Sequence, residues 1–312
     1  MNLHEHKEEF KALISIVASK LHIPESAVER DYYIVYLLKR LENSEYVNKC
    51  VFKGGTSLSK CYPGSIERFS EDIDLTYLGI GLSDNICDKN IKRIENIMTI
   101  GARTKKIPEE RSCRSKSMYV WFEKEENKVK LEIGSSVRPD PFSKKTFKSY
   151  IHEFLEEQGQ VEDINKYNLS KVTLNVLNIE RTFIDKIMSV KRHAICGNLD
   201  RKVRHIYDVV RLFNMPEIQD FLNDKSELKR LIKITKETDS FYLEKREIPK
   251  EYNPLGLYDF NAWKKELNST IRSRYETLHK DLLYTDVKQN FEDAINTFSK
   301  INEILEEINE WL

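Results

Sequence analysis

The chain has 312 residues, 33% of them charged and 40% hydrophobic, with 51 lysines and arginines against 51 aspartates and glutamates. That length can bury a sizeable core and predicts two domains, while the balanced charge announces no nucleic-acid partner on a global scale. Five scattered cysteines (Cys50, Cys61, Cys87, Cys113 and Cys196) include no Cys-x-x-Cys pair. They argue against a disulfide scaffold or a zinc site and for a reducing cytoplasm.

Residues 1–10 are polar and charged, and no apolar run approaches the roughly 18 residues of a membrane span. The seven histidines show no metal-ligand spacing, and His4 and His6 read as part of a frayed terminus. Phe10, Leu13, Ile14, Val17 and Leu21 recur at helical spacing and predict a first amphipathic helix. Pro24-Glu25-Ser26 opens a second, running through Ala27-Val28-Glu29-Arg30-Asp31-Tyr32-Tyr33 to about residue 41. Val51-Phe52 reads as the first core strand.

The stretch Phe52-Lys53-Gly54-Gly55-Thr56-Ser57-Leu58 is a glycine-bearing turn that starts a short helix over 56–61. Glycines ahead of a helix leave backbone N–H groups open to a phosphate. Gly54, Gly55, Thr56 and Ser57 are therefore candidate nucleotide-binding residues. After Pro63-Gly64 comes Arg68-Phe69-Ser70-Glu71-Asp72-Ile73-Asp74-Leu75, with a strand over 73–77. Strand periodicity puts Asp72 and Asp74 on one face. Two adjacent carboxylates repel each other unless a cation lies between them, and a hard, oxygen-seeking ion such as Mg²⁺ suits that place. Arg68 and Ser70 are candidates to brace this loop or to contact a nucleotide. Each half alone is common, since Gly-Gly-Thr-Ser is usually an ordinary turn and cap, and Asp-x-Asp a solvated strand end. Their order and short separation join them into one candidate site.

A helix over 83–104 would pack through Ile86, Ile91, Ile94, Ile97 and Met98. Strands over 118–122 and 128–133 form a hairpin around Glu125-Glu126-Asn127. In the second strand Val129, Leu131 and Ile133 share one face, and Lys130 and Glu132 the other. Val137-Arg138-Pro139-Asp140-Pro141 reads as a stiff loop, 144–160 as a charged helix and 172–177 as a last strand. From residue 179 onward the pattern is helical. One helix over 179–193 turns Phe183, Ile184, Ile187, Met188 and Val190 inward, and a second over 201–213 does so with Val203, Ile206, Tyr207, Val210 and Leu212. A final helix carries the stripe Phe291, Ile295, Phe298, Ile301, Leu305, Ile308 and Leu312. Lys186, Lys191, Arg192, Arg201, Lys202, Arg204 and Arg211 make a locally basic segment. Glu292, Asp293, Glu303, Glu306, Glu307 and Glu310 make an acidic one.

The glycine turn and the carboxylate strand resemble the core of the AbiEii/AbiGii-type nucleotidyltransferase toxins, members of the DNA polymerase beta-like superfamily found in type IV toxin–antitoxin systems. The family signature is a Gly-Gly-Thr-x-Leu turn followed by Arg-x-Ser-x-Asp-Ile-Asp-Leu. Glu29-Arg30-Asp31-Tyr32 extends the likeness, as do Glu180-Arg181-Thr182-Phe183-Ile184-Asp185-Lys186 and Arg204-His205-Ile206-Tyr207-Asp208. Lys186 matches the family's lysine, Arg204 its arginine and Asp208 the last aspartate of an Arg-Asp-x-x-Asp pattern. His205 stands where the first aspartate is usual, which leaves the role of that position open.

The resemblance implies an α+β fold. A nucleotidyltransferase domain with a short mixed sheet and flanking helices would cover 1–178, an all-helical bundle 179–312, and the active site would lie in the cleft between them. It also implies an NTP substrate and one or two Mg²⁺ ions on Asp72, Asp74 and, as a third carboxylate, Glu132, whose alternative is a solvent-facing strand residue. Lys130 would touch a phosphate. Lys186 would neutralise the leaving pyrophosphate. Asp208 would orient that lysine or take a proton from the attacking hydroxyl, the alternative being a structural Lys–Asp pair. The implied acceptor is the 3′ end of tRNA, where an added nucleotide blocks translation. Residues 191–211, with Lys144, Lys145 and Lys148, would carry the RNA backbone. A cognate antitoxin from the neighbouring gene and a place in phage defence follow from the same likeness. Two other readings stay open. One is a Mg²⁺-dependent ribonuclease, which has no use for the glycine turn. The other is a non-catalytic nucleotide- or partner-binding relative, which His205 keeps in play although Asp72, Asp74, Lys186 and Asp208 are intact.

Overall fold

The structure, a computed structural model, describes residues 1–243, 249, 251–281, 283–285 and 290–309. Its chain divides into two units. One comprises Met1–Cys61 and Phe69–Leu177; the other comprises Tyr62–Arg68 and Asn178–Leu312.

In the first unit, the described residues form one mixed sheet in the order β3 (Arg103–Lys106), β4 (Ser115–Trp121), β5 (Val129–Gly134), β2 (Asp72–Tyr77), β1 (Cys50–Lys53), β7 (Val172–Leu177) and β6 (Phe142–Phe147). β2 runs parallel to β5, and β1 to β7; the remaining neighbours are antiparallel. Of the central strands, β1 is buried on both faces through Cys50, Val51 and Phe52, while β5 alternates. Val129, Leu131 and Ile133 are buried while Lys130, Glu132 and Gly134 are half-buried, as strand periodicity dictates. Ile73, Leu75, Met118 and Val120 share the apolar side. Helices α2 (Glu25–Glu42) and α4 (Asp84–Met98) pack on this sheet, contributing Leu37, Leu38 and Leu41, and Ile91, Ile94 and Met98. α1 (Lys7–Leu21), α3 (Gly54–Cys61), α5 (Tyr150–Glu157) and α6 (Val161–Lys166) complete the unit.

Four expectations need correction here. The helix expected over 83–104 stops at Met98, and its last two expected residues open β3 at Arg103–Lys106. The stretch expected as a helix over 144–160 is strand up to Phe147, as part of β6, and helical only at Tyr150–Glu157. Both strands lie at sheet edges, where one partner suffices and charged side chains are tolerated; neither therefore shows apolar alternation. Ile86 lies on the exposed side of α4. His4 is packed, its Nδ1 2.8 Å from the Tyr32 hydroxyl and its ring 4.8 Å from that of Tyr36.

The second unit is helical: α7 (Ile179–Ile195), α8 (Val203–Phe213), α9 (Pro216–Asn223), α10 (Lys225–Leu243), α11 (Phe260–Trp263), α12 (Ser269–Asp281) and α13 (Phe291–Asn309). α8 packs on α7, α12 and α13 through Ile206, Val209 and Leu212. The stripe of α13 is buried at Phe291, Phe298, Ile301, Leu305 and Ile308; Glu310 and Leu312 lie outside the described residues. Segment Tyr62–Arg68 is built into this unit. The backbone N–H of Tyr284 donates to the carbonyl of Glu67 at 3.2 Å, its hydroxyl to that of Ile66 at 3.3 Å, and Arg68 forms a β-bridge with Leu283. Among the described residues no helix is long and apolar enough to cross a membrane.

Candidate active site

Asp72 and Asp74 stand two apart on β2, on the face opposite the buried Ile73 and Leu75. Register brings Lys130 of β5 beside Asp72 and Glu132 beside Asp74. On the other side of Asp74 lies Lys53 of β1. Lys53 ends the strand that delivers the glycine turn. It is half-buried and forms no ion pair or side-chain hydrogen bond among the described residues, so a cation is available one strand away from the carboxylates. Only its place before the two glycines could have marked it.

Gly54 begins α3 with φ +86°, and a Cβ there would lie 2.2 Å from Asp74 Oδ2. The carboxylate of Asp74 therefore packs against bare backbone at the start of a helix, whose first N–H groups have no partner within the helix. Thr56 and Ser57 are buried, and their hydroxyls are used internally. Thr56 Oγ1 lies 2.9 Å from Ser70 Oγ and donates to the carbonyl of Asp72, while Ser57 Oγ donates to the carbonyl of Gly54 at 2.9 Å. Ser70 is thereby part of the brace between the glycine turn and the carboxylate loop, which Arg30 of α2 also holds by an ion pair to Glu71.

A residue that sequence reasoning left without a role anchors α3. Asp31 is buried on α2; its Oδ1 accepts from Lys60 Nζ at 2.6 Å and its Oδ2 from the Tyr150 backbone N–H at 2.7 Å. The Lys60 ammonium also stands 4.0 Å from the centre of the Tyr150 ring. α2, α3 and the first turn of α5 are thus tied at one carboxylate.

Glu132 and Lys130 form an ion pair at 2.5 Å, and Lys130 also reaches Glu110 at 2.8 Å. Burial works to discharge the Lys130 ammonium; hydrogen bonds to Glu110 and Glu132 outweigh it and raise the pKa above the usual lysine value. Among the described residues no three acidic, histidine or cysteine side chains converge as metal ligands do. The donors still fit a hard divalent cation. Magnesium is commonly held by one or two carboxylates, with water and substrate phosphate completing its shell. Asp72 and Asp74 offer oxygen alone, and the bare backbone at Gly54 leaves the Asp74 carboxylate room.

Within the second unit, Arg68, Lys186 and Asp208 form a buried cluster. Arg68 grips Asp208 with two parallel hydrogen bonds, Nε to Oδ1 at 2.6 Å and Nη2 to Oδ2 at 2.7 Å, while Lys186 Nζ reaches Oδ2 at 2.6 Å. Such a bidentate fork fixes direction as well as distance. Burial opposes ionisation of Asp208, but the charges of Arg68 and Lys186 overcome it and hold the carboxyl well below the ordinary range. A carboxylate so stabilised orients cations well and takes up a proton poorly.

His205 sits one turn before Asp208, its Nδ1 3.1 Å from Ser189 Oγ. Burial, followed by the charge of Lys186, lowers its pKa well below the usual value, so the ring is neutral. Arg204 is exposed. Much of the expected basic segment is consumed internally. Lys191 is buried and donates to the carbonyl of Leu257, Arg192 pairs with Asp239 at 2.9 Å, and Arg211 pairs with Glu67 at 2.7 Å. In the first unit Lys148 pairs with Glu156, and Lys144 is exposed.

Residues 36–297 match the model of the family described as nucleotidyl transferase AbiEii toxin, type IV TA system. No protein with a curated description matches. Among solved structures, MenT4, a nucleotidyltransferase toxin from Mycobacterium tuberculosis H37Rv, is similar at 19% identity and TM-score 0.49, over 95% of this chain and 97% of that one. A chain from H. pylori assigned as a nucleotidyltransferase is similar at 18% identity and TM-score 0.37, over 83% and 98%.

Proposed function

We propose, since the chain belongs to the AbiEii family of nucleotidyltransferase toxins, that it transfers a nucleoside monophosphate from an NTP to the 3′ end of tRNA and so blocks translation. The observation that carries this reading is the half-buried Asp72–Asp74 pair on the sheet face opposite Ile73 and Leu75, with the helix-starting Gly54 packed against Asp74. Asp72 and Asp74 would hold Mg²⁺, which when bound supplies Lewis acidity at the α-phosphate, while Glu132, paired with Lys130, does not converge with them as the third ligand that the family resemblance implied.

The chain's own residues do the remaining work. Backbone N–H groups of Gly54, Gly55 and the first turn of α3 would receive the triphosphate, while the Thr56 and Ser57 hydroxyls keep that turn in shape. Lys130, beside Asp72, is placed on the face where a phosphate would come. Lys186 is read as the cation that neutralises the departing pyrophosphate, with Arg68 and Asp208 holding its ammonium in one position. His205, its pKa lowered by burial and its Nδ1 beside Ser189 Oγ, would support the packing of α7 and α8 in place of the acid usual there. As a type IV toxin the protein would be held in check by an antitoxin encoded beside it.

The test incubates the protein with total tRNA, Mg²⁺ and each α-labelled NTP, beside Asp72→Ala and Asp74→Ala. Label should enter tRNA from a preferred NTP and fall by roughly a thousandfold in either variant, as loss of metal-type charge stabilisation worth several kcal/mol implies. Shortened tRNA without label would establish hydrolysis instead. Label confined to protein would overturn the choice of acceptor.

A further inference from the structure

The carboxylate face does not end at Glu132 and Lys130. Asp72 pairs with Lys130, Lys130 with Tyr119 of β4, and Tyr119 with Lys105 of β3. Directly paired residues share a face, so these four side chains form one row across four strands. Beside it, Arg103 of β3 pairs with Trp121 of β4, two residues along each strand and hence on the same face. With strands about 4.8 Å apart, the row carries the surface about 14 Å from Asp72 to the sheet edge.

The chemistry of this outer part is uniform. Arg103 and Lys105 are exposed and form no ion pair or side-chain hydrogen bond among the described residues. Tyr119 and Trp121 are half-buried, and neither the phenol hydroxyl nor the indole N–H has a hydrogen-bond partner among the described residues. Lys128 Nζ stands 4.7 Å from the centre of the Tyr119 ring. Free cations alternating with accessible aromatic rings suit a single-stranded nucleic acid, in which phosphates meet cations and unstacked bases find rings to lie on. Charges on an edge strand also discourage edge-to-edge pairing, but that purpose needs no half-exposed tyrosine and tryptophan on the carboxylate face. The segment 191–211 is a weaker candidate, because Lys191, Arg192 and Arg211 are already engaged.

We propose that β3 and β4 form the track on which the single-stranded end of an RNA acceptor lies as its terminus reaches Asp72 and Asp74. Arg103 and Lys105 contact its phosphates; Trp121 and Tyr119 stack on its bases. This rests on the reading of the protein as a transferase that acts on RNA, and extends it to a place on the molecule.

The test uses the full chain with Arg103→Glu/Lys105→Glu, the milder Arg103→Gln/Lys105→Gln in case the first does not fold, and Trp121→Ala. A short fluorescent single-stranded RNA measures binding, and α-labelled NTP measures transfer to tRNA. Expected is a loss of RNA affinity of at least about tenfold in each double variant, with the slope of log K against log salt reduced by about 1.4 for two phosphate contacts to a single strand. KM for RNA should rise by the same factor while KM for NTP stays as in the parent, and Arg103→Lys/Lys105→Arg should restore binding. Trp121→Ala should weaken binding by about tenfold without changing the salt slope. Parent-like RNA affinity and KM in the charge variants, with tRNA still labelled, would overturn the track and leave the transferase reading standing. RNA binding that depends on these residues in a protein that labels no RNA would support the track and remove the acceptor from the proposed reaction. A parent that neither binds nor labels RNA would overturn both.

Discussion

A methyl group at Gly54 has nowhere to go. Its Cβ would lie 2.2 Å from Asp74 Oδ2, and its φ of +86° belongs to the left-handed region, which costs an L-residue about 1–2 kcal/mol. Gly54→Ala should therefore lower transfer by at least about a hundredfold by displacing the Asp74 carboxylate, while melting shows only a modest loss of stability. Asp208 behaves oppositely, because its removal leaves two cations buried. Asp208→Asn should destabilise by about 3–5 kcal/mol in urea unfolding. Since the folded carboxyl sits well below its ordinary value, its contribution is complete above about pH 4 and is lost as pH falls below that. The parent should thus lose stability more steeply on acidification below pH 4 than the variant does, and equal slopes would contradict the assignment. The face shared by Asp72, Asp74, Lys130 and Glu132 could be read in advance because a period of two is a local property. The grip of Arg68 on Asp208 joins residues 140 positions apart, and no local pattern announces it. Nor does any pattern announce His4 entering the aromatic cluster around Tyr32 and Tyr36.

At the level of elements, the glycine turn depends on how α3 is held. Asp31 ties α2 to α3 through Lys60 and caps the start of α5 through the Tyr150 N–H. Asp31→Ala should leave the Lys60 ammonium buried without a counter-charge and cost about 3–5 kcal/mol, read as a lower urea midpoint. Hydrogen exchange should show the loss first in α3, and unchanged protection there would count against the anchoring role. β2, β4 and β5 were legible because a buried face imposes a period of two, β1 and β7 because burial on both faces leaves a short, largely apolar run, and the helices α1, α2, α7, α8 and α13 because their apolar residues recur at helical spacing. β3 and β6 were not. Arg103-Thr104-Lys105-Lys106 is exposed throughout, and Phe142–Phe147 buries only its last residue, so hydrogen bonding to one neighbour makes each a strand without leaving a hydrophobic signature. The same lack of signature hid the basic edge on which the proposed RNA track depends.

At the level of the whole chain, the change from sheet to helices near residue 178 is visible in composition, yet the division between units is not a single cut. Tyr62–Arg68, lying between the glycine turn and the carboxylates in sequence, belongs with the helices. A fragment of residues 178–312 lacks Arg68 and also the backbone partners of Tyr284. Such a fragment should be poorly soluble or melt broadly, and a co-expressed segment containing residues 62–68 should improve it. A sharp, parent-like melt of the fragment alone would contradict this dependence. Because the helical unit owns a piece of chain embedded within the other, synthesis delivers that piece long before its partners emerge from the ribosome. Recombination at the 177/178 boundary would separate Asp208 from its arginine. The two halves of this toxin can therefore be inherited or lost as one gene, but not exchanged as interchangeable modules.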